Sequence, residues 1–317
     1  MILYTAILTA LAPPFLLILL GAGLRRLGAL HPDHVPTLNG LVLNVTLPAL
    51  VVTGLLHAPP LSPRLALPVG ALLAAEMAAL GLVMGIGRGM RLPTATLGAI
   101  LLVGVFGNTG FIGYPMTLAL FPRQFPAAIL LDQFAMTLPL YVTAAVAGGR
   151  LGSGGGHGAA LGRFFRSPLF LSAVIGLALH SVRVPPALAH SPVWTRLGAV
   201  VMQCLGYLGQ GTTPLVLLAL GVALRPGAAL RQPKALALAC AAKLLFVPAA
   251  AWAVCRLLGV GGELRAETVL ASAMPAAVVA SVLAGRNDLE GDFAVGVVFV
   301  GTVLSAFTVP LLLSVLR

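Results

Sequence analysis

Glu76, Asn108, Asp132 and Lys243 stand inside stretches otherwise apolar enough to cross a bilayer. Each type carries a distinct chemistry there. A carboxylate at membrane depth costs about 2.5–3.5 kcal/mol on insertion scales, so Glu76 must be paired, protonated or facing water, and a protonating group suits a coupled transport cycle. Lys243 is a countercharge for an anion, a partner for Glu76, or a snorkelling interface residue, since it enters some nine residues into its helix. Asn108 offers an amide that can orient a ligand, with the Thr109 hydroxyl beside it. Asp132-Gln133 enters about six residues into its stretch, where interface solvation competes with a role in a site.

The backbone around Asn108 is equally unusual. Gly107-Asn108-Thr109-Gly110-Phe111-Ile112-Gly113-Tyr114-Pro115 places glycines every third residue and ends on a proline. Such a segment cannot continue a regular helix without losing backbone hydrogen bonds. In hydrocarbon each freed amide or carbonyl is expensive, so a broken helix survives only against protein or a polar cavity. Breaks of this kind mark the substrate sites of many secondary transporters. A second break is expected at Ala273-Met274-Pro275-Ala276-Ala277. Helices restarting after Pro115 and after Pro275 would each direct free amides and a positive dipole end at the break, a setting that favours an anion.

The elements that must position these groups are read from hydropathy. The chain of 317 residues is 59% hydrophobic and 9% charged, with a mean hydropathy of +1.04. Soluble domains carry roughly 25% charge. A crossing needs about twenty apolar residues, which predicts ten helices: 2–24, 37–57, 65–85, 95–121, 126–148, 167–184, 197–224, 235–258, 266–285 and 292–316. The N-terminal stretch has no basic lead and reads as the first span, not a cleaved signal.

The linker 149–166, with Gly152-Ser153-Gly154-Gly155-Gly156, divides the chain into two sets of five helices, 1–148 and 167–317. Thr46-Leu47-Pro48 in helix two has a counterpart in Thr212-Thr213-Pro214 of helix seven. Pro115 corresponds to Pro275, and Glu76 of helix three lies opposite Lys243 of helix eight. Matching breaks in two halves point to an inverted repeat, and an odd helix count per half turns the second repeat over. Loops after the odd-numbered helices hold 11 Lys/Arg against 7 on the other side. The richer side is expected in the cytoplasm, with the linker there and both termini outside the cell's inner (plasma) membrane.

Other classes are poorly supplied. The net charge of +11 comes from scattered arginines without a basic run beyond Arg25-Arg26, so nucleic acid is not an expected partner. Cys204, Cys240 and Cys255 have no metal-ligand spacing, and His57, His180 and His190 fall at helix ends, so no metal is expected. No Walker, HExxH or GxSxG pattern occurs, and the glycines of 85–89 follow no strand. An enzyme and ATP-driven transport are therefore not expected. Gln210 reads as an interhelical hydrogen-bonding residue.

The motifs also resemble a known family. Asn108-Thr109-Gly110-Phe111-Ile112-Gly113-Tyr114-Pro115, Leu43-Asn44-Val45-Thr46-Leu47-Pro48, Thr213-Pro214-Leu215 with Leu220-Gly221, and Met274-Pro275-Ala276 with Leu283-Ala284 are similar, in order, to those of the auxin efflux carrier family. The plant carriers have an Asn-Pro-Asn-containing fourth-helix motif. Here Asn108 and Pro115 are seven apart, and the chain looks closer to the bacterial branch, which includes reputed malate and malonate carriers. The resemblance implies ten helices, with four and nine crossing at their breaks beside an organic-anion site. It also implies a mobile domain of helices three to five and eight to ten, moving on a scaffold of one, two, six and seven in an elevator cycle.

The substrate-binding residues so expected are Asn108, Thr109, Gly110, Tyr114, Pro115, Met274, Pro275, Ala276 and Asn44. Glu76, Lys243 and Asp132 are the charge-carrying candidates. No cofactor is expected, and coupling to protons or sodium is open. The expected partners are a small organic anion and the lipid bilayer, and a homodimer is compatible with this reading. A receptor or channel for small anions is the alternative.

Overall fold

The computed structural model describes residues 2–58, 62–151, 162, 164–181, 192–223 and 228–316. The expectations that rest on Gly152–Gly156 and on His190 lie outside them. The regular elements of the described residues are all helical, with one isolated antiparallel bridge between Gly107 and Ala276. Among them, six helical spans are long and apolar enough to cross a membrane: 32–56, 63–89, 122–151, 196–223, 233–257 and 291–315. Large side chains such as Leu311, Phe307, Val200 and Trp194 are exposed. Apolar surface of that extent fits a lipid solvent and would be a liability in water.

Prolines shape these helices in a regular way. A proline lacks an N–H and its ring collides with the carbonyl four residues back. Widening one turn to the π form relieves the collision without exposing backbone. π segments at Val42–Thr46, Thr109–Gly113, Leu131–Thr137 and Ala242–Phe246 each end two residues before a proline, respectively Pro48, Pro115, Pro139 and Pro248. Pro48 therefore does not break its helix; the strain is absorbed in the turn that contains Asn44. In 196–223 the interruption falls at Gly211, between helices Pro192–Gln210 and Thr212–Ala223.

The chain divides into two compact units. The smaller comprises residues 16–61 and 165–223. It holds the C-terminal part of α1 (Ile2–Arg26), with α2 (Pro32–Leu56), α7 (Pro168–Ser181), α8 (Pro192–Gln210) and α9 (Thr212–Ala223). α1 and α9 approach backbone to backbone through glycines. A Cβ on Gly221 would overlap the Ile18 carbonyl, and one on Gly21 would overlap that of Leu218. Without a hydrophobic force between helices in lipid, such small-residue contacts supply the association.

The larger unit comprises residues 1–15, 62–164 and 224–317. It holds α3 (Pro63–Gly89), α4 (Thr94–Val103), α5 (Tyr114–Leu120), α6 (Pro122–Leu151), α10 (Pro233–Leu257), α11 (Gly262–Ala273), α12 (Val278–Arg286) and α13 (Gly291–Leu316). Its core is rich in alanine, with Ala75 and Ala79 of α3, Ala239 and Ala251 of α10 and Ala280 of α12 packed around Ile100, Phe106 and Phe293. At one edge Glu290 accepts hydrogen bonds from the Thr96 hydroxyl and the Gln232 amide, both at 2.5 Å, tying the start of α4 to that of α13.

Candidate functional site

Two interruptions of helix meet inside the larger unit. α4 stops at Val103, and residues 104–108 run non-helically to the π turn Thr109–Gly113. α11 stops at Ala273, and residues 274–277 run non-helically to α12. The freed backbone groups pair with one another. Asn108 N–H donates to the Pro275 carbonyl at 2.7 Å, and Ala277 N–H donates to the Phe106 carbonyl at 3.1 Å. This reciprocal exchange is how two broken helices satisfy their amides without water.

The first break lies upstream of Pro115. Pro115 sits in the first turn of α5, where its missing N–H costs nothing, while the glycines and Asn108 carry the interruption. Asn108 (φ −85°, ψ 63°) caps the restarted helix, its Oδ1 accepting from Phe111 N–H at 3.3 Å. Its Nδ2 is buried and has no hydrogen-bond partner among the described residues. An amide donor is thus held at the crossing by a bond through its other end.

Lys243 is brought to the same place by the π turn of α10. The side chain is 1% exposed, and Nζ donates to the Ser272 carbonyl at 2.6 Å in the last turn of α11. Snorkelling is excluded by that placement. A Cβ on Gly107 would stand 3.1–3.2 Å from Lys243 Cε and Nζ and from the Met274 carbonyl. The absence of a side chain at Gly107 therefore lets the ammonium reach the break. Glu76 of α3 is fully buried and interacts electrostatically with Lys243. No ion pair within 4.0 Å joins them, and neither carboxylate oxygen has a hydrogen-bond partner among the described residues.

Asp132 is 3% exposed and gathers the other expected residues. Its Oδ1 accepts from the Thr109 hydroxyl. Its Oδ2 accepts from Tyr114 OH at 3.0 Å and from Gln133 Nε2 at 2.6 Å. Gly110 leaves ordinary contact space above this carboxylate, 3.8 Å from a Cβ to Oδ1. Tyr114 is steadied by an edge-to-face contact with Phe125, centroids 5.2 Å apart. Burial of this kind is interior positioning, not interface solvation. Met274 is fully buried beside Gly113, and Ala276 forms the bridge with Gly107.

Asn44 belongs to the smaller unit, where its side chain donates to the Gly40 carbonyl of its own helix at 2.7 Å. A cavity of about 330 Å³ in the larger unit lies away from the crossing, lined by Leu80, Met84, Leu101 and Val146 with Arg88 and Arg150.

Glu267 and Thr117 were not legible as site residues. Glu267 is 1% exposed, and the Thr117 hydroxyl donates to its Oε1 at 2.9 Å. The hydropathy reading starts this helix at 266, which leaves Glu267 at its very end. α11 instead begins at Gly262, which carries Glu267 more than a turn inside.

A family described as membrane transport protein matches residues 6–147 and 159–313. The chain belongs to this family, that of the auxin efflux carriers, and is a multi-pass membrane protein of a transporter family. It is 27% identical over 298 residues to an uncharacterized transporter of Methanothermobacter thermautotrophicus, covering 93% of each chain. It is 24% identical over 300 residues to an uncharacterized transporter of Methanocaldococcus jannaschii, covering 93% of this chain and 94% of the relative.

Proposed function

We propose that this protein is a secondary carrier of small organic anions, bound where the two breaks cross. One observation carries the reading: a buried ammonium, Lys243, and an unused amide donor, Asn108 Nδ2, converge on the paired breaks. A carboxylate placed there would gain charge-assisted hydrogen bonds from both. Thr109, Gly110, Tyr114, Pro115, Met274, Pro275 and Ala276 shape the space, and Glu76 balances Lys243 when the anion leaves.

The cycle is of the elevator type, with the larger unit as its mobile body. That assignment is supported by the containment of both breaks, Lys243, Asp132 and Glu76 in one compact unit. The architecture is ten crossings in an inverted repeat, with both termini outside the plasma membrane. Antiparallel pairing of the two breaks is the geometry expected of halves related by a two-fold axis in the membrane plane. The arginine bias of the loops supports the orientation. The working assembly is compatible with a homodimer, and coupling is to protons or sodium.

The test is a thermal-stabilisation screen of the purified protein with monocarboxylates, dicarboxylates and indole acids, followed by counterflow in proteoliposomes. A ligand that binds only the folded state raises the unfolding temperature. The carrier reading expects stabilisation by at least one class and saturable counterflow of the same compound. Non-saturating flux of that anion would instead identify a channel, and binding without flux a receptor.

A further inference from the structure

We infer that Glu267 is a proton-binding site wired to the backbone of the first break, and that its proton is the coupling ion of the cycle proposed above. The inference rests on that carrier reading only for its second half.

Thr117 stands between two oxygens. Its hydroxyl is 2.9 Å from Glu267 Oε1 and 3.0 Å from the Gly113 carbonyl. A hydroxyl has one hydrogen, so it cannot donate to both. With Glu267 ionised, the hydrogen turns to the carboxylate and leaves the Gly113 carbonyl. Glu267 Oε2 then stays charged, buried and without a hydrogen-bond partner among the described residues. With Glu267 as a carboxylic acid, its O–H donates to Thr117 and Thr117 donates to Gly113. Both contacts then close, and the remaining carboxyl oxygen is neutral, which is far less costly to bury.

Among the described residues no cation pairs with Glu267. Titratable groups reach α11 from the elements packed on it: Tyr114 from the first break, Asp132 from α6, Lys243 and Cys255 from α10, and Glu76 from α3 through Lys243. Arg123 lies exposed in the first turn of α6, and on α11 itself Arg265 interacts with Cys255. Lys243 donates to the Ser272 carbonyl, and no ion pair involves Glu267 among the described residues. Tyr114 interacts electrostatically with Glu267 while donating to Asp132.

The same groups give the proton a route and a lever. Glu263 is exposed, one turn away on the same face of α11, and accepts from Gln124 at 3.5 Å. Glu267 interacts electrostatically with Tyr114, and from Tyr114 hydrogen bonds run through Asp132 to Thr109, beside Asn108. Loss of the proton swings the Thr117 hydrogen away from Gly113, in the turn that Asn108 caps. Proton occupancy and the geometry of the break are thereby linked.

Infrared spectroscopy of the purified protein at neutral pH, in H₂O and D₂O, tests the site without any substrate. A carboxylic-acid C=O band is expected that disappears in Glu267→Gln, shifts in Thr117→Val, keeps its position in Thr117→Ser and survives in Asp132→Asn and Glu76→Gln. Identical carboxylic-acid bands in wild type and folded Glu267→Gln would overturn the proton site. In proteoliposomes, Glu267→Gln is expected to retain substrate exchange and to lose accumulation driven by a pH gradient. Unaltered accumulation in that variant overturns the coupling role. A wild type that transports no carboxylate removes the carrier reading and with it the coupling half, and the infrared result still decides the proton site.

Discussion

Asn108 donates its main-chain N–H to the carbonyl of Pro275, and through that bond the two interrupted helices become one structural feature. The link is made by backbone, so the side chains around it are free to serve a ligand. Substitutions of Asn108 or Lys243 should therefore affect function before they affect folding.

Asn108→Ala removes the Nδ2 donor and the cap on Phe111 but leaves the bond to Pro275. Anion affinity is expected to fall about tenfold, equivalent to about 1.4 kcal/mol. Yield and unfolding temperature should change little, because an Asn cap replaced by Ala typically costs about 1 kcal/mol. Titration of a stabilising carboxylate against both proteins checks this. Equal affinities, or collapse of the purified variant, would mean that Asn108 serves packing alone.

Lys243→Met is expected to weaken anion binding by tenfold or more, since it removes the buried positive charge at the crossing. Glu76→Gln alone should change affinity less. The double variant should be less impaired than the two single effects added together, because each single change leaves the other charge buried and uncompensated. Additive losses in a double-mutant cycle would show that the two groups act independently.

Gly221→Ala should destabilise the smaller unit by about 1–3 kcal/mol, the usual range for overpacking. The new Cβ meets the Ile18 backbone, which has no rotamer by which to yield. Gly23→Ala is the control, as its Cβ would meet nothing within 4 Å. Thermal unfolding of the two variants in the same detergent should separate them, with the control close to wild type.

A cysteine placed at Gly154 should react with a membrane-impermeant maleimide only from the cytoplasmic side. The experiment needs a Cys204→Ser background, since Cys204 is exposed whereas Cys240 and Cys255 are buried. Labelling from outside would invert the orientation drawn from loop charge.

Much of the membrane architecture was legible because its causes are local. A run of apolar residues must close its hydrogen bonds within itself to sit in lipid, so hydropathy alone marked where helices would form. Glycine, proline and asparagine interrupt that closure wherever they fall. The non-helical backbone beside Asn108 and around Pro275 was accordingly visible in the residue order. The depths of Lys243 and Asp132 were harder to read, since position along a helix leaves open whether a charge turns to lipid, interface or interior.

What the sequence by itself determined, then, is which segments are helical, where two of them must fail, and which polar groups would need an account. Only the tertiary structure decided the accounts. It moved the first interruption upstream of Pro115, because proline is tolerated in a first helical turn, and it let a π turn absorb Pro48. It gave Asp132 three donors from its surroundings and drew Glu267 inside α11 against Thr117. Hydrogen-bond partners such as Asn108 and Pro275 are set by the packing of helices distant along the chain, and no local property of either residue records that meeting.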